Sequence, residues 1–158
     1  MAIFGAGSNW DGTEVKQQFF EESKFVVGWN EAHSKDLYEA VSQLKVGDII
    51  YLKSVSPRYI RHIEVKGIGI VTKSFIQCLQ SGEFGDVDIS DWNALFVKVH
   101  WIRKTKFTIE IPESEGKLTN VRPATFYEEY LPHVQEKIIG ALVGTVETYN
   151  KAMHATSA

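Results

Sequence analysis

Cysteine is nearly missing from this chain: Cys78 is the one thiol among 158 residues. An internal disulfide and any multi-cysteine zinc site are thereby excluded. Proline is scarce as well, with four residues, and no Pro/Ser-rich linker, internal repeat or low-complexity tract divides the chain. A single domain over 1–158 is the expectation. Apolar runs are short, and none approaches the roughly 20 residues of a membrane-spanning helix. The opening residues Met1-Ala2-Ile3-Phe4-Gly5 have neither the basic start nor the apolar stretch of a signal peptide. A reducing cytoplasm and no membrane partner are expected.

Catalytic signatures are missing too. There is no Walker loop, no dinucleotide glycine fingerprint, no H-E-x-x-H and no G-x-S-x-G. His33, His62, His100, His133 and His154 are dispersed and read as surface or packing residues rather than metal ligands. Asp86-Val87-Asp88 with Asp91 lacks the spacing and closing Glu of a calcium loop, and reads as a solvated acidic segment. Cys78, between Gln77 and Leu79, reads as buried packing rather than a nucleophile. No catalytic residue, metal or cofactor is expected, although a hydrolase assembled from scattered polar residues would leave no motif.

An overall positive charge is the last absence. The net charge is −3, so the chain carries no global basic footprint for nucleic acid. The charge is unevenly spread: residues 45–73 carry +4 and 98–106 another +4, while 1–44, 74–97 and 107–158 are acidic. Positive charge follows the predicted strands, as either a mixed solvated surface or a basic groove on one sheet edge.

What is present is an ordinary globular composition, 44% apolar and 23% charged. Gly5 to Gly12 is rich in turn formers, and Asp11 or Thr13 is placed to cap a helix bearing Val15, Phe19 and Phe20. Phe25–Trp29 reads as a strand. Ser34 looks like an N-cap for a helix with Leu37, Val41 and Leu44 inward. Lys45–Asp48 is a turn before the strand Ile49–Lys53. Ser54–Ile60 is a loop, and Ile63–Val71 is extended, with Gly67 and Gly69 marking a bend or a close backbone approach. Phe75–Leu79 suits a short helical turn and Gly82–Asp91 an acidic loop. Leu95, Val97, Val99 and Trp101 share one face of a strand, and Lys106–Ile111 forms the next, stopped by Pro112. Pro132 fits the first turn of a helix to about Asn150, with Val134, Ile138, Ala141, Leu142 and Val146 as its buried stripe. The fold class expected is α+β: a curved, partly open β-barrel of about five strands with flanking helices.

That order of elements resembles the PUA-like superfamily, and within it the EVE and YTH-type domains. The likeness rests on Phe25-Val26-Val27-Gly28-Trp29, Leu44–Lys53 with its K-x-G-D turn, Lys66-Gly67-Ile68-Gly69-Ile70-Val71, and Trp92–Val99. It covers about residues 25–111, leaving 1–24 as an N-terminal extension, 112–151 as a C-terminal helical part and 152–158 as a flexible tail. The resemblance implies a reader rather than a catalyst, with a concave, aromatic-lined pocket for a base, often a modified one. Such domains are similar in often standing beside nucleases or in bacterial and phage defence systems.

The candidate ligand-binding residues follow from chemistry. Trp10 and Trp29, beside Asn9 and Asn30, combine a stacking face with amide donors and acceptors, although each Trp equally suits the core. Trp92 is a further candidate, whereas Trp101 belongs by phase to the core. Ser34 and Lys35 open a helix, where free backbone N–H groups favour an anion. Lys53, Ser54 and Tyr59 follow the second strand, and Arg58, Arg61, Lys104 and Lys106 are placed to track a nucleic-acid backbone. A plain surface loop accounts for them too. The partner expected is nucleic acid, single-stranded or presenting a flipped base. The alternatives are a free nucleotide held by a sensor or sequestering protein, and a protein docked on the C-terminal helix.

Overall fold

Ile49–Val55 and His62–Lys73, rich in β-branched residues, pair at the middle of the fold. The computed structural model describes residues 1–28, 39–56, 58–59, 61–84, 96–115 and 125–156. The strands among them are β1 (Ile3–Ala6), β2 (Asn9–Trp10), β3 (Thr13–Glu14), β4 (Lys24–Val26), β5 (Ile49–Val55), β6 (His62–Lys73), β7 (Phe96–Arg103), β8 (Phe107–Glu110) and β9 (Phe126–Glu128). Helices α1 (Lys16–Glu22), α2 (Phe75–Gln80) and α3 (Pro132–Thr156) flank them.

Seven strands form one sheet in the order β4-β7-β6-β5-β1-β9, with β8 also paired to β6, and β2 and β3 form a separate hairpin. The α+β class, the curled and partly open sheet and the C-terminal helix hold; the expected count of about five strands is too low. The strands missed, β1, β2, β3 and β9, are two to four residues long. The clearest case is β1, which pairs parallel with β5 and antiparallel with β9, placing residues of the supposed N-terminal extension inside the sheet. Its Gly5 is there for space rather than for a turn: a Cβ would stand 2.5 Å from Cζ of Tyr127.

The sheet is buried on both faces because β5 alternates between two cores. Ile50 and Leu52 join Phe19, Phe20, Phe25, Val97, Val99 and Trp101. Ile49 and Tyr51 join Ile63, Val65, Ile68, Ile109 and the first turns of α3 through Val134 and Ile138. Trp101 is a core residue as its phase indicates, with Nε1 donating to the Lys24 carbonyl at 3.2 Å. Gly67 and Gly69 are both close approaches. A Cβ on Gly67 would lie 2.7 Å from Phe20 Cζ, and one on Gly69 2.4 Å from Val99 Cγ1.

Next to Gly67 the pairing of β5 with β6 slips: Leu52 faces Gly67, but Lys53 faces Val65. Lys66 is therefore the extra residue of a β-bulge. The bulge lets Val65 and Ile68, three positions apart, reach the same core.

Other sequence readings shift in detail. Asp11 and Thr13 do not cap α1; Asp11 and Gly12, both at positive φ, form the two-residue turn between β2 and β3. Ser74 caps α2 with a reciprocal bond to Gln77. Val41 and Leu44 are buried as expected, while Ser34 and Leu37 lie outside the described residues. α3 begins at Pro132 and continues to Thr156. Its stripe is buried at Val134 and Ile138, partly buried at Ala141 and Leu142, and exposed at Val146.

Candidate functional site

At the end of the β5–β6 pair, beside the bulge, lies a cavity of about 300 Å³. The β2–β3 hairpin lines one side through Asn9, Trp10, Asp11 and Glu14, and the sheet lines the other through Lys53, Ser54, Glu64 and Lys66. Gly7, Ser8, Gly28, Lys106 and Thr125 complete the lining. The hairpin is held down by Trp10, whose ring meets Phe19 edge-on at 5.9 Å, and by Val15 N–H donating to the Ser8 carbonyl at 2.8 Å. Gly28 sits at φ +83°, and a Cβ there would stand 2.2 Å from Trp10 Cε2. Glycine is needed on both counts: the backbone is left-handed and the indole occupies the space of a side chain.

Two lysines are buried at the cavity. Lys66 Nζ is 2.7 Å from Glu14 Oε2, an ion pair that ties the bulge to the hairpin. Ser8 Oγ donates to Glu14 Oε1 at 2.5 Å, and Lys16 N–H donates to the same oxygen at 3.1 Å. Burial raises the Glu14 carboxyl, but the Lys66 ammonium and the Ser8 hydroxyl outweigh it and hold the group below the usual range. Lys53 Nζ lies 5.4 Å over the Tyr127 ring. Burial, and then the neighbouring Lys66 charge, pushes the Lys53 ammonium down to about 8.

Behind Lys53 is a buried polar chain. Tyr51 Oη and Tyr127 Oη are 2.6 Å apart, and Tyr51 also donates to Glu129 Oε1 at 2.8 Å. Burial and the adjacent Glu129 and Tyr127 oxygens push the Tyr51 phenol far above its ordinary range. It remains a hydroxyl donor throughout the working pH range.

The residues expected from sequence are distributed as follows. Asn9, Trp10, Lys53, Ser54 and Lys106 come together at the cavity. Asn9 Oδ1 is used by its own turn, accepting from Gly12 N–H at 2.9 Å. Lys106 pairs with Glu64 at 3.2 Å. Arg58, Tyr59 and Arg61 line a separate depression with His62, Glu110 and Ile111, and Arg61 Nη1 donates to the Pro112 carbonyl at 2.7 Å. The exposed Lys104 lines neither hollow. Trp29, Asn30, Ser34, Lys35 and Trp92 lie outside the described residues. Sequence reasoning missed Ser8, Glu14, Gly28, Lys66 and Thr125. The one signal for Lys66 is a cation next to Gly67 in the otherwise apolar run Val65–Val71.

Among the described residues no cluster of three or more His, Cys, Asp or Glu is arranged to hold a metal ion, and no helix is long and apolar enough to cross a membrane.

No protein-family model and no curated protein sequence matches the chain. Two solved structures are similar to it. One is the YTH domain of a Zygosaccharomyces rouxii protein in complex with N6-methyladenosine RNA, at 20% identity and a TM-score of 0.49, covering 89% of this chain and 86% of that one. The other is a Pseudomonas putida protein at 14% identity and a TM-score of 0.45, covering 89% of this chain and 99% of that one.

Proposed function

We propose that this chain is a non-catalytic nucleic-acid-binding module that receives one unstacked base in the cavity beneath the β2–β3 hairpin. The observation that carries the reading is the cavity itself, in which one aromatic ring, Trp10, shares a small hollow with two buried lysines, Lys53 and Lys66. An aromatic face stacks any base, and fixed polar groups read its edge. A volume near 300 Å³ is at the lower end of ligand pockets, roughly 300–1,000 Å³, and suits a single base or nucleoside.

A second reading, a free nucleotide rather than a strand, is favoured by the charge layout. Lys106 and Lys66 at the cavity are paired with Glu64 and Glu14, and Arg58 and Arg61 line a different depression, so no continuous basic track leads to the cavity along these residues. Titrating labelled single-stranded oligonucleotides and free nucleosides and nucleotides at two salt concentrations separates the readings. A strand-binding module gives tighter binding to the oligonucleotide with a negative salt slope. Binding of mononucleotides alone supports the second reading. In either case Trp10→Ala is expected to weaken binding by about 1–3 kcal/mol, the scale of one lost base stack. If neither ligand class binds, or Trp10→Ala binds as the parent does, the cavity is not a base site.

A further inference from the structure

Helix α3 carries two apolar stripes. The first, through Val134 and Ile138, is buried against the sheet. The second consists of Ile139, Val143, Val146, Tyr149 and Met153, whose residues are 38–63% exposed. Spacings of three and four residues put them on one face of the helix, beside the buried one. Every residue from Val146 to Ala155 is exposed, and this half of α3 includes the β-branched Val146 and Thr148 and the weak helix former Asn150. An exposed helical stretch of this length is marginal in water, because propensity alone sustains it poorly. Covering the second stripe would stabilise it.

The spacing of that stripe selects its occupant. Counted from Val146, the other members lie three and seven residues away in both directions: Val143 and Tyr149, then Ile139 and Met153. The pattern reads the same from either end. An interface between identical copies related by a two-fold axis has to be self-complementary in this way. Antiparallel pairing with the axis at Val146 brings that residue level with itself, Val143 level with Tyr149, and Ile139 level with Met153. Charge agrees with a second copy. Between Ile139 and Met153 the charged residues are Glu147 and Lys151, which cancel, so two copies meet without net repulsion. One lysine gives little attraction to an anionic membrane or to nucleic acid.

We infer that the exposed face of α3 pairs antiparallel with the same face of a second copy of this chain, giving a two-fold dimer centred on Val146. At about 1.5 Å of rise per residue the stripe is roughly 21 Å long. Covering it in both copies removes on the order of 1,000 Å², the low end of specific interfaces. The dimer is therefore a weak one, forming in about the micromolar to millimolar range. Stability measured on the dilute chain reads the monomer.

Sedimentation equilibrium of the intact chain at rising concentration tests the association, and the average mass is expected to climb from one chain toward two. Val146→Glu sets two carboxylates at the axis and should move that climb to concentrations higher by about tenfold or more. Its melting in the dilute state should match the parent, which separates lost pairing from lost folding. Cysteine cross-linking tests the direction, and the native Cys78 is buried, so it contributes little background. Val146→Cys is expected to form an intermolecular disulfide under mild oxidation. Ile139→Cys alone is not, because its two copies stand roughly 21 Å apart along the axis, against a disulfide reach of roughly 4.4–6.8 Å between Cα atoms. Mixed with Met153→Cys it should cross-link. A chain that stays monomeric throughout overturns the inference, as does Val146→Glu associating like the parent. Self-cross-linking of Ile139→Cys overturns the antiparallel arrangement. Binding to anionic lipid vesicles without self-association overturns it too, and assigns the face to a membrane.

Discussion

At the scale of single residues, burial decides what each cation does. Lys53 and Lys106 were both legible as basic residues near strand ends. Only the fold separates the buried Lys53 from Lys106, which pairs with Glu64 at the surface. Lys53 is charged at neutral pH at a cost, because burial, with Lys66 adding to it, lowers its folded pKa from 10.5 to about 8. Between those values the unfolded chain holds a proton that the folded chain has released, so stability rises with pH across the interval. The full difference is worth roughly 3 kcal/mol. Urea unfolding at pH 7 and pH 10 should show this climb in the parent, and Lys53→Met should lack that share of it. Anion affinity should fall as pH passes about 8 in the parent, well before an ordinary lysine would titrate. Trp10 was equally readable as core or pocket, and it serves both, because one edge meets Phe19 while the residue also lines the cavity.

At the scale of elements, the hairpin and the bulge build the site, and they differ in how visible they are. Asp11-Gly12 between Trp10 and Thr13 carries the sequence signature of a two-residue turn, yet the same residues also resemble a helix start. Only the positive φ at both positions decides between them. Gly12 stands at φ +88° in open space, so its role is conformational. Gly12→Val is expected to destabilise the hairpin by about 1–2 kcal/mol through the left-handed backbone alone. The hairpin lies outside the seven-stranded sheet, so the melting temperature should barely move. Amide exchange across residues 9–14 should accelerate, and ligand affinity should drop in parallel. If exchange there is unchanged, the hairpin is held by its contacts with Lys66 and Phe19 rather than by its turn. The bulge was not legible, because nothing local in His62–Lys73 says which residue the partner strand will skip. β1 was hidden for a related reason: its partners Ile49–Leu52 and Phe126–Glu128 lie more than forty residues away in sequence.

At the scale of the whole molecule, one sheet separates two apolar cores, and α3 covers the second of them. The alternating pattern of Ile49–Leu52 and the stripe of the last helix made this architecture readable, and the helix stripe overreached only where the chain runs past the sheet. Ile138 is fully buried and Val146 is exposed on the same helix. Ile138→Ala is expected to cost about 2–5 kcal/mol. Val146→Ala should stay within about 0.5 kcal/mol of the parent. Chemical denaturation of the two variants side by side checks where on α3 packing ends. Comparable losses would mean that the C-terminal half of the helix is covered in solution. Of the basic residues expected to track a nucleic-acid backbone, Arg58 and Arg61 stand at one hollow and Lys106 at another, a separation that no local sequence feature reveals.

The bulge at Lys66 has a consequence for how this chain tolerates change. The bulge adds one residue to β6, and on either side of it the strand keeps the alternation of its partner β5. Position 66 is therefore the place where this strand is open to loss of a residue, at the expense of the site. Deleting Lys66 would bring Val65 next to Gly67 in a regular ladder opposite Lys53 and Leu52, with Ile68 and Val71 still facing their present cores, whereas deleting a residue elsewhere in the paired stretch would turn part of the strand over. Along this strand, sequences descended from a common ancestor are held to a fixed count on either side of the bulge and are free to lose a residue at it.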